Sequence, residues 1–281
     1  TPMPHHEIPL SRPDMSDLEV DLVVETMRSG RLALGPMAER FEKLVASRAG
    51  CRHGIAVSSG TCGLHLIMQA LGIGPGDEVI TTPFSFIAST NCILYVGAKP
   101  VFVDICPKTL NMDPERLEKA ITSRTKAILA VECFGNPAHM DAYASIAARH
   151  EIPLIEDSCE ALATTYKGRP CGSFGRVGVF GFYPNKQITT GEGGMIVTDD
   201  QRIADLCLSM RNQGRAVGHD TAGPDRHNSR TVGAWLKHER LGYNYRMPEI
   251  NAALGVAQMR RMDDMVRARQ HVADLYMRRF M

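Results

Sequence analysis

Residues 177–198 read VGVFGFYPNKQITTGEGGMIVT. The apolar run 177–182 has the length and composition of a buried strand. A turn, Tyr183-Pro184-Asn185, follows it, and then a single lysine, Lys186. Past the cluster Gly191-Glu192-Gly193-Gly194, residues 195–198 read as a second strand. Glycine and proline are the strongest local punctuation, and here they bracket one basic side chain between two buried strands. Lost hydration beside apolar surface disfavours an ammonium ion and lowers its pKa. A neutral lysine amine attacks carbonyl groups and forms a Schiff base. A solvated loop lysine is nevertheless the commoner fate of this residue type, so the stretch alone leaves both readings open.

A chain of 281 residues allows one large domain, or one with part of another. Its 44% hydrophobic content is ample for a sizeable core. With 32 basic and 31 acidic residues, no global field favours nucleic acid or a membrane surface. No apolar run approaches a membrane span, and no targeting segment is read before Ile8, so a cytoplasmic protein is expected. The eight cysteines form no C-x-x-C pair. A zinc or redox site is therefore not expected, and free thiols of a reducing compartment are.

Strands expected at 54–57, 78–82, 100–103, 127–131 and 153–156 alternate with helices after Ser58 and at 85–96, 114–121 and 140–150. Helices at 16–29 and 37–48 precede them, and one at 200–211 follows the lysine unit. A long helix at 248–280 is expected to bend or break near Met262. Alternating strand and helix implies an α/β fold of three αβα layers, with a mostly parallel central sheet covered on both faces. Such sheets bind ligands beyond the carboxyl ends of their strands. Polar clusters 58–61, 84–86 and 156–160 fall there, and Lys186 belongs to a fourth. Residues 214–233 form a long polar loop rich in Gly, His and Arg, a type that is usually functional or disordered.

Ser58-Ser59-Gly60-Thr61 is a small-residue turn feeding a helix N-terminus, which suits either an anion such as phosphate or an ordinary helix cap. Asp157 follows a buried strand without an adjacent cation. It could be a turn residue or the partner of a protonated ring nitrogen. Phe86 could be core or the face on which a flat ring stacks. Together the parts describe one ligand: phosphate at Gly60-Thr61, ring against Phe86, ring nitrogen on Asp157, aldehyde on Lys186. That ligand is pyridoxal 5'-phosphate. Two competing motifs fail. Gly72-x-Gly74-x-Gly76 follows a helix and precedes a strand, the reverse of a dinucleotide fingerprint. Gly181-x-x-x-x-Lys186 lacks the second glycine and the Ser/Thr of a P-loop.

The ordered blocks VSSGTCGLHL (57–66), GPGDEVITTPFSFIAS (74–89), GAKPVFVDI (97–105), IEDSCEAL (155–162), FYPNKQITTGEGGMIVTDD (182–200) and GYNYRMPEINAALGVAQ (242–258) resemble the DegT/DnrJ/EryC1/StrS sugar aminotransferases, of the aspartate aminotransferase superfamily, fold type I. The resemblance implies that Lys186 is the Schiff-base lysine and proton shuttle, and that Asp157 partners the pyridine nitrogen. It further implies that Phe86 stacks on the ring, that Gly60, Thr61 and Cys62 form the phosphate turn, and that Glu160 contacts the ring oxygen. Asn244 would reach the phosphate of a neighbouring subunit, which implies a homodimer with shared active sites. Tyr183 and Arg246 are substrate candidates. Gly181 stands where a phosphate-binding serine is common, and Glu160 where an amide is common. The implied domains are an N-terminal segment (1–36), a cofactor-binding large domain (37–250), and a long helix (251–281) leading to a C-terminal small domain expected to be largely absent from this chain. The implied reaction moves an amino group from L-glutamate to a keto sugar, a nucleotide-linked 4-keto or 3-keto hexose. A keto-cyclitol aminotransferase and a non-catalytic cofactor-binding homologue are the alternatives.

Overall fold

The computed structural model describes Pro9, residues 11–217 and residues 237–280. Seven strands make its central sheet: β1 (His53–Val57), β2 (Glu78–Thr81), β3 (Lys99–Phe102), β4 (Thr125–Val131), β5 (Leu154–Asp157), β8 (Val177–Gly181) and β9 (Gly194–Thr198). A two-stranded hairpin, β6 (Thr165–Tyr166) and β7 (Arg169–Pro170), lies between β5 and β8 in sequence. The sheet order is β1-β9-β8-β5-β4-β2-β3. The pairs β2·β3, β2·β4, β4·β5 and β5·β8 are parallel, whereas β9 runs antiparallel to both β1 and β8. The short link from β8 to β9 holds no crossover helix, so the chain turns straight back. Lys186 sits in that return.

Side-chain alternation along the strands builds both cores at once. Ile55, Val57, Val79, Leu129, Ile155, Val177, Val179 and Ile196 face one side, with α3 (Gly60–Ala70), α4 (Ala88–Tyr95) and α7 (Gln201–Arg211) packed on them. Their sequence neighbours face the other side. Ile80, Ile128, Ala130 and Leu154 meet α5 (Pro114–Lys119) and α6 (Met140–Arg149). Ala56, Phe180, Met195 and Val197 meet α1 (Asp17–Arg28), α2 (Pro36–Ala49) and the first half of α8 (Glu249–Phe280). The chain therefore has the expected α/β architecture, with two helical layers enclosing a mixed, mostly parallel sheet.

Two expectations need correction. The long helix does not break near Met262. It runs uninterrupted over Glu249–Phe280, because nothing after Gly255 is a glycine or proline. Its buried face ends at Met265, and residues 267–280 are exposed. Helix α4 begins at Ala88 rather than at residue 85. Pro83 and a hydrogen bond from Phe84 N to Thr82 Oγ1 hold the preceding residues in a turn that presents Phe84 and Phe86. Most of the expected 214–233 loop lies outside the described residues. No described helix is long and apolar enough to cross a membrane.

Candidate active site

The carboxyl ends of β1, β2, β4, β5 and β8 open on one edge of the sheet. The segments that leave them line a cavity of about 800 Å3. Its wall includes Ser59, Gly60, Thr61, Phe86, Asp157, Glu160, Tyr183 and Lys186. Four of the sequence's separate polar clusters thus meet in one place.

Each corner has its own cause. Ser59 caps α3 by accepting the N–H of Cys62 at 3.1 Å. The first-turn amides of Gly60 and Thr61 have no intrahelical acceptor and sit at the positive end of the helix dipole. A side chain and backbone crowd this turn from behind: a Cβ on Gly60 would stand 2.8 Å from Cys159 Sγ, and one on Gly194 would stand 2.5 Å from the Ser59 carbonyl carbon. Asp157, the last residue of β5, is only 7% exposed. Its Oδ2 accepts from Ser89 Oγ at 2.7 Å, and its Oδ1 accepts from Cys159 N at 3.3 Å. Lys186 Nζ lies 3.0 Å from Glu160 Oε1, and Glu160 Oε2 accepts from Phe134 N at 2.9 Å. Arg269 of α8 holds the lysine turn from outside, donating to Gln187 O at 2.8 Å and to Lys186 O at 3.3 Å. Phe86 leaves 79% of its surface exposed above the cavity.

A helix N-terminus, an exposed flat ring, a buried carboxylate and an amine around one cavity fit the chemistry of pyridoxal 5'-phosphate group by group. Cys62, Asn244 and Arg246 are not on this wall. Cys62 turns inward, its Sγ 3.3 Å from Ser58 Oγ. Asn244 is exposed and bridges Asn212 through its backbone. Arg246 Nη1 donates to Asn212 Oδ1 at 2.7 Å.

Sequence reasoning points to residues 132–136, with the 214–233 loop, as a stretch on which substrate identity depends, but it does not reveal the following contacts and conformations. Ser89 reaches Asp157 from α4, and its hydroxyl also lies 2.7 Å from that of Ser85 in the turn before the helix. Phe134 occupies the turn Cys133–Gly135 with φ 53° and ψ 25°, a left-handed conformation that costs a non-glycine residue ~1–3 kcal/mol. Its ring is 74% exposed and lies edge-on to Phe84, centroids 6.2 Å apart. Beneath the site is a buried acid pair, Glu132 and Glu156. Glu156 accepts the amides of Gly172 at 2.8 Å and Gly175 at 2.5 Å. Burial first, and then the charge of Glu156, pushes Glu132 well above the usual carboxylate range. Burial also raises Glu156, but the Gly175 and Gly172 amides stabilise its charge. The proton therefore belongs to Glu132.

Against known proteins, residues 13–281 match the model of the DegT/DnrJ/EryC1/StrS aminotransferase family. The spore coat polysaccharide biosynthesis protein SpsC of Bacillus subtilis is 42% identical over 98% of this chain and 70% of its own length. The GDP-perosamine synthase of Caulobacter vibrioides is 42% identical over 96% of this chain and 69% of its own. Among solved structures, an aminotransferase from Psychrobacter cryohalolentis superposes with a TM-score of 0.84 at 36% identity. That match covers 90% of this chain and 64% of the other, so this chain spans a little under two thirds of that structure. The chain belongs to the DegT/DnrJ/EryC1/StrS family of pyridoxal-phosphate-dependent aminotransferases of fold type I.

Proposed function

We propose that the protein transfers an amino group from L-glutamate to the keto carbon of a nucleotide-linked hexose, at position 3 or 4, with pyridoxal 5'-phosphate as cofactor. The observation that carries this reading is the convergence of Lys186, Asp157 and the α3 N-terminus on one cavity. Two relatives are named for a GDP-linked amino sugar, which favours a nucleotide sugar as acceptor.

When bound, the cofactor supplies an aldehyde and a ring that accepts electrons. Gly60 and Thr61 would hold its phosphate through backbone amides. Phe86 would cover the ring, and Asp157, aligned by Ser89, would keep the ring nitrogen protonated. The Lys186 amine would hold the cofactor through its aldehyde and would serve as the general base and acid that moves a proton at the reacting carbons. Glu160 sits against that amine and sets its direction. The large domain is residues 37–250, with α1 and the first half of α8 packed on it. We further infer a cytoplasmic homodimer in which Asn244 serves the partner's site. Its exposure on this chain, away from its own cavity, supports that role.

The test is direct. Protein loaded with the cofactor should be yellow, and borohydride should fix the colour to the chain. Lys186→Ala should lose both the fixation and ~100-fold or more of glutamate-dependent amino transfer. Failure of the unmodified protein to take up the cofactor would end the proposal.

A further inference from the structure

We propose that Phe134, braced by Phe84, is the wall on which the acceptor's hexose ring packs, so that it selects the acceptor while leaving the amino donor alone. This inference rests on the amino-transfer reading above.

Phe134 keeps a conformation that glycine, not phenylalanine, prefers. The turn cannot relax out of it. Its own N–H is held by Glu160 Oε2, Gly135 N donates to Glu132 O at 2.9 Å, and Asn136 N donates to Cys133 O at 3.0 Å. Gly135 leaves no room either, since a Cβ there would stand 2.5 Å from Glu160 O. This strained backbone delivers a large apolar ring not to the core but to the cavity wall. Strain and exposed apolar surface both cost stability, and their coincidence at a cavity marks a contact surface. Glu160 fixes its location, because one oxygen meets Lys186 Nζ and the other meets Phe134 N. The turn that carries the ring therefore stands one carboxylate away from Lys186 Nζ, and the ring lines the same cavity.

The chemistry of the pair chooses between the two substrates. Phe84 and Phe134 present ring faces and edges and no charge. L-glutamate carries two carboxylates and gains nothing from such a wall. A hexose has a face of C–H groups, which is the surface an aromatic ring covers well.

Equilibrium titration with nucleoside diphosphate hexoses lacking the keto group, GDP-, UDP- and dTDP-linked, tests the contact without turnover. The nucleoside diphosphates alone are the reference. For the hexose compound that binds, Phe134→Ala should raise Kd about tenfold, and Phe134→Tyr should restore it. Affinity for the matching nucleoside diphosphate should not change. Phe102→Ala, an exposed ring on β3 away from the cavity, is the control. In the cofactor-loaded protein, the absorbance change on adding glutamate should proceed in Phe134→Ala within about twofold of the parent. The inference falls if hexose affinity is unmoved, if the nucleoside diphosphate loses as much as its hexose, or if the glutamate half-reaction slows equally. It also falls if no hexose compound binds, or if the substitution changes only the sedimentation of the protein, which would make the ring a contact between copies. A parent protein that ignores glutamate, yet binds a hexose compound through Phe134, would sink the amino-transfer reading and leave this one standing.

Discussion

Strand β5 ends in two carboxylates, and its pleat sends them to opposite faces of the sheet. Asp157 shares a face with Ile155 and the α3–α4 layer, where Ser89 binds one oxygen and the cavity lies beside it. Glu156 shares a face with Leu154, where backbone amides of Gly172 and Gly175 each occupy one oxygen. One chain neighbour is left with capacity for a ligand, and the other is used up in holding the loop after β7. Burial alone does not separate these roles, since both side chains are buried. What separates them is where the remaining lone pairs point.

Paired isosteric substitutions should split the two most sharply. Asp157→Asn keeps an oxygen for the Cys159 N–H, and the Ser89 hydroxyl can turn to accept from the new amide, so melting should stay within about 2 °C of the parent. Its amide cannot stabilise a protonated ring nitrogen, and amino transfer should drop about a hundredfold or more. Glu156→Gln should do the reverse. A glutamine has one acceptor for two amide donors, so one buried N–H loses its partner at a cost of ~1–3 kcal/mol. Melting should fall by several degrees, with the rate per folded molecule near that of the parent. Similar behaviour of the two variants, in rate and in melting, would break the comparison.

Glu132 sharpens it through pH. Its folded-state pKa is raised, so the folded chain holds a proton that the unfolded chain gives up above the ordinary carboxylate value. That contribution is complete below the unfolded pKa and is lost as pH rises through the folded one. Arg169 offsets part of the charge on Glu156, and burial keeps Cys171 beside the pair protonated. Stability of the parent should therefore decline as pH rises above the ordinary carboxylate range, and Glu132→Gln should flatten that decline. Thermal melts from that range upward, with equal slopes in both proteins, would remove the shared proton from the account.

The strand ends were legible because each follows a short apolar run closed by small or polar residues. Following those runs to one edge collected Gly60, Thr61, Phe86, Asp157 and Lys186 without coordinates, and the family resemblance added Glu160 and Tyr183. The second strand of the lysine unit was also readable, but its antiparallel direction was not. What stayed hidden depends on contacts distant in sequence or on backbone angles. Ser89 meets Asp157 across 68 residues. The left-handed Phe134 carries no local signal beyond the glycine after it. The buried acid pair joins Glu156 of β5 to Glu132, the residue just past β4, and sequence does not reveal the register of those two strands. A bend or break in the long helix was expected near Met262, and the helix does not break. Burial ends there instead, and the helix continues into solvent.

The smallest effect concerns the proposed phosphate turn, beside which the family resemblance leads to the expectation of a serine where Gly181 stands. Its φ does not demand glycine, so backbone conformation is not the obstacle. Space is: a Cβ at Gly181 would stand 3.2 Å from Cys159 Sγ and 3.4 Å from Cys159 Cβ. The same sulfur lies 2.8 Å from where a Cβ on Gly60 would be, so Cys159 fills the gap between the turn and β8. Gly181→Ser alone should strain this contact, lowering stability by less than about 1 kcal/mol and leaving cofactor affinity within about twofold. Adding Cys159→Ala makes room for the hydroxyl to turn toward the phosphate. The double variant should bind the cofactor up to about tenfold more tightly, the worth of one hydrogen bond to a charged group. If Gly181→Ser alone gains as much, the turn already has the space, and the sulfur does not decide which residue stands at position 181.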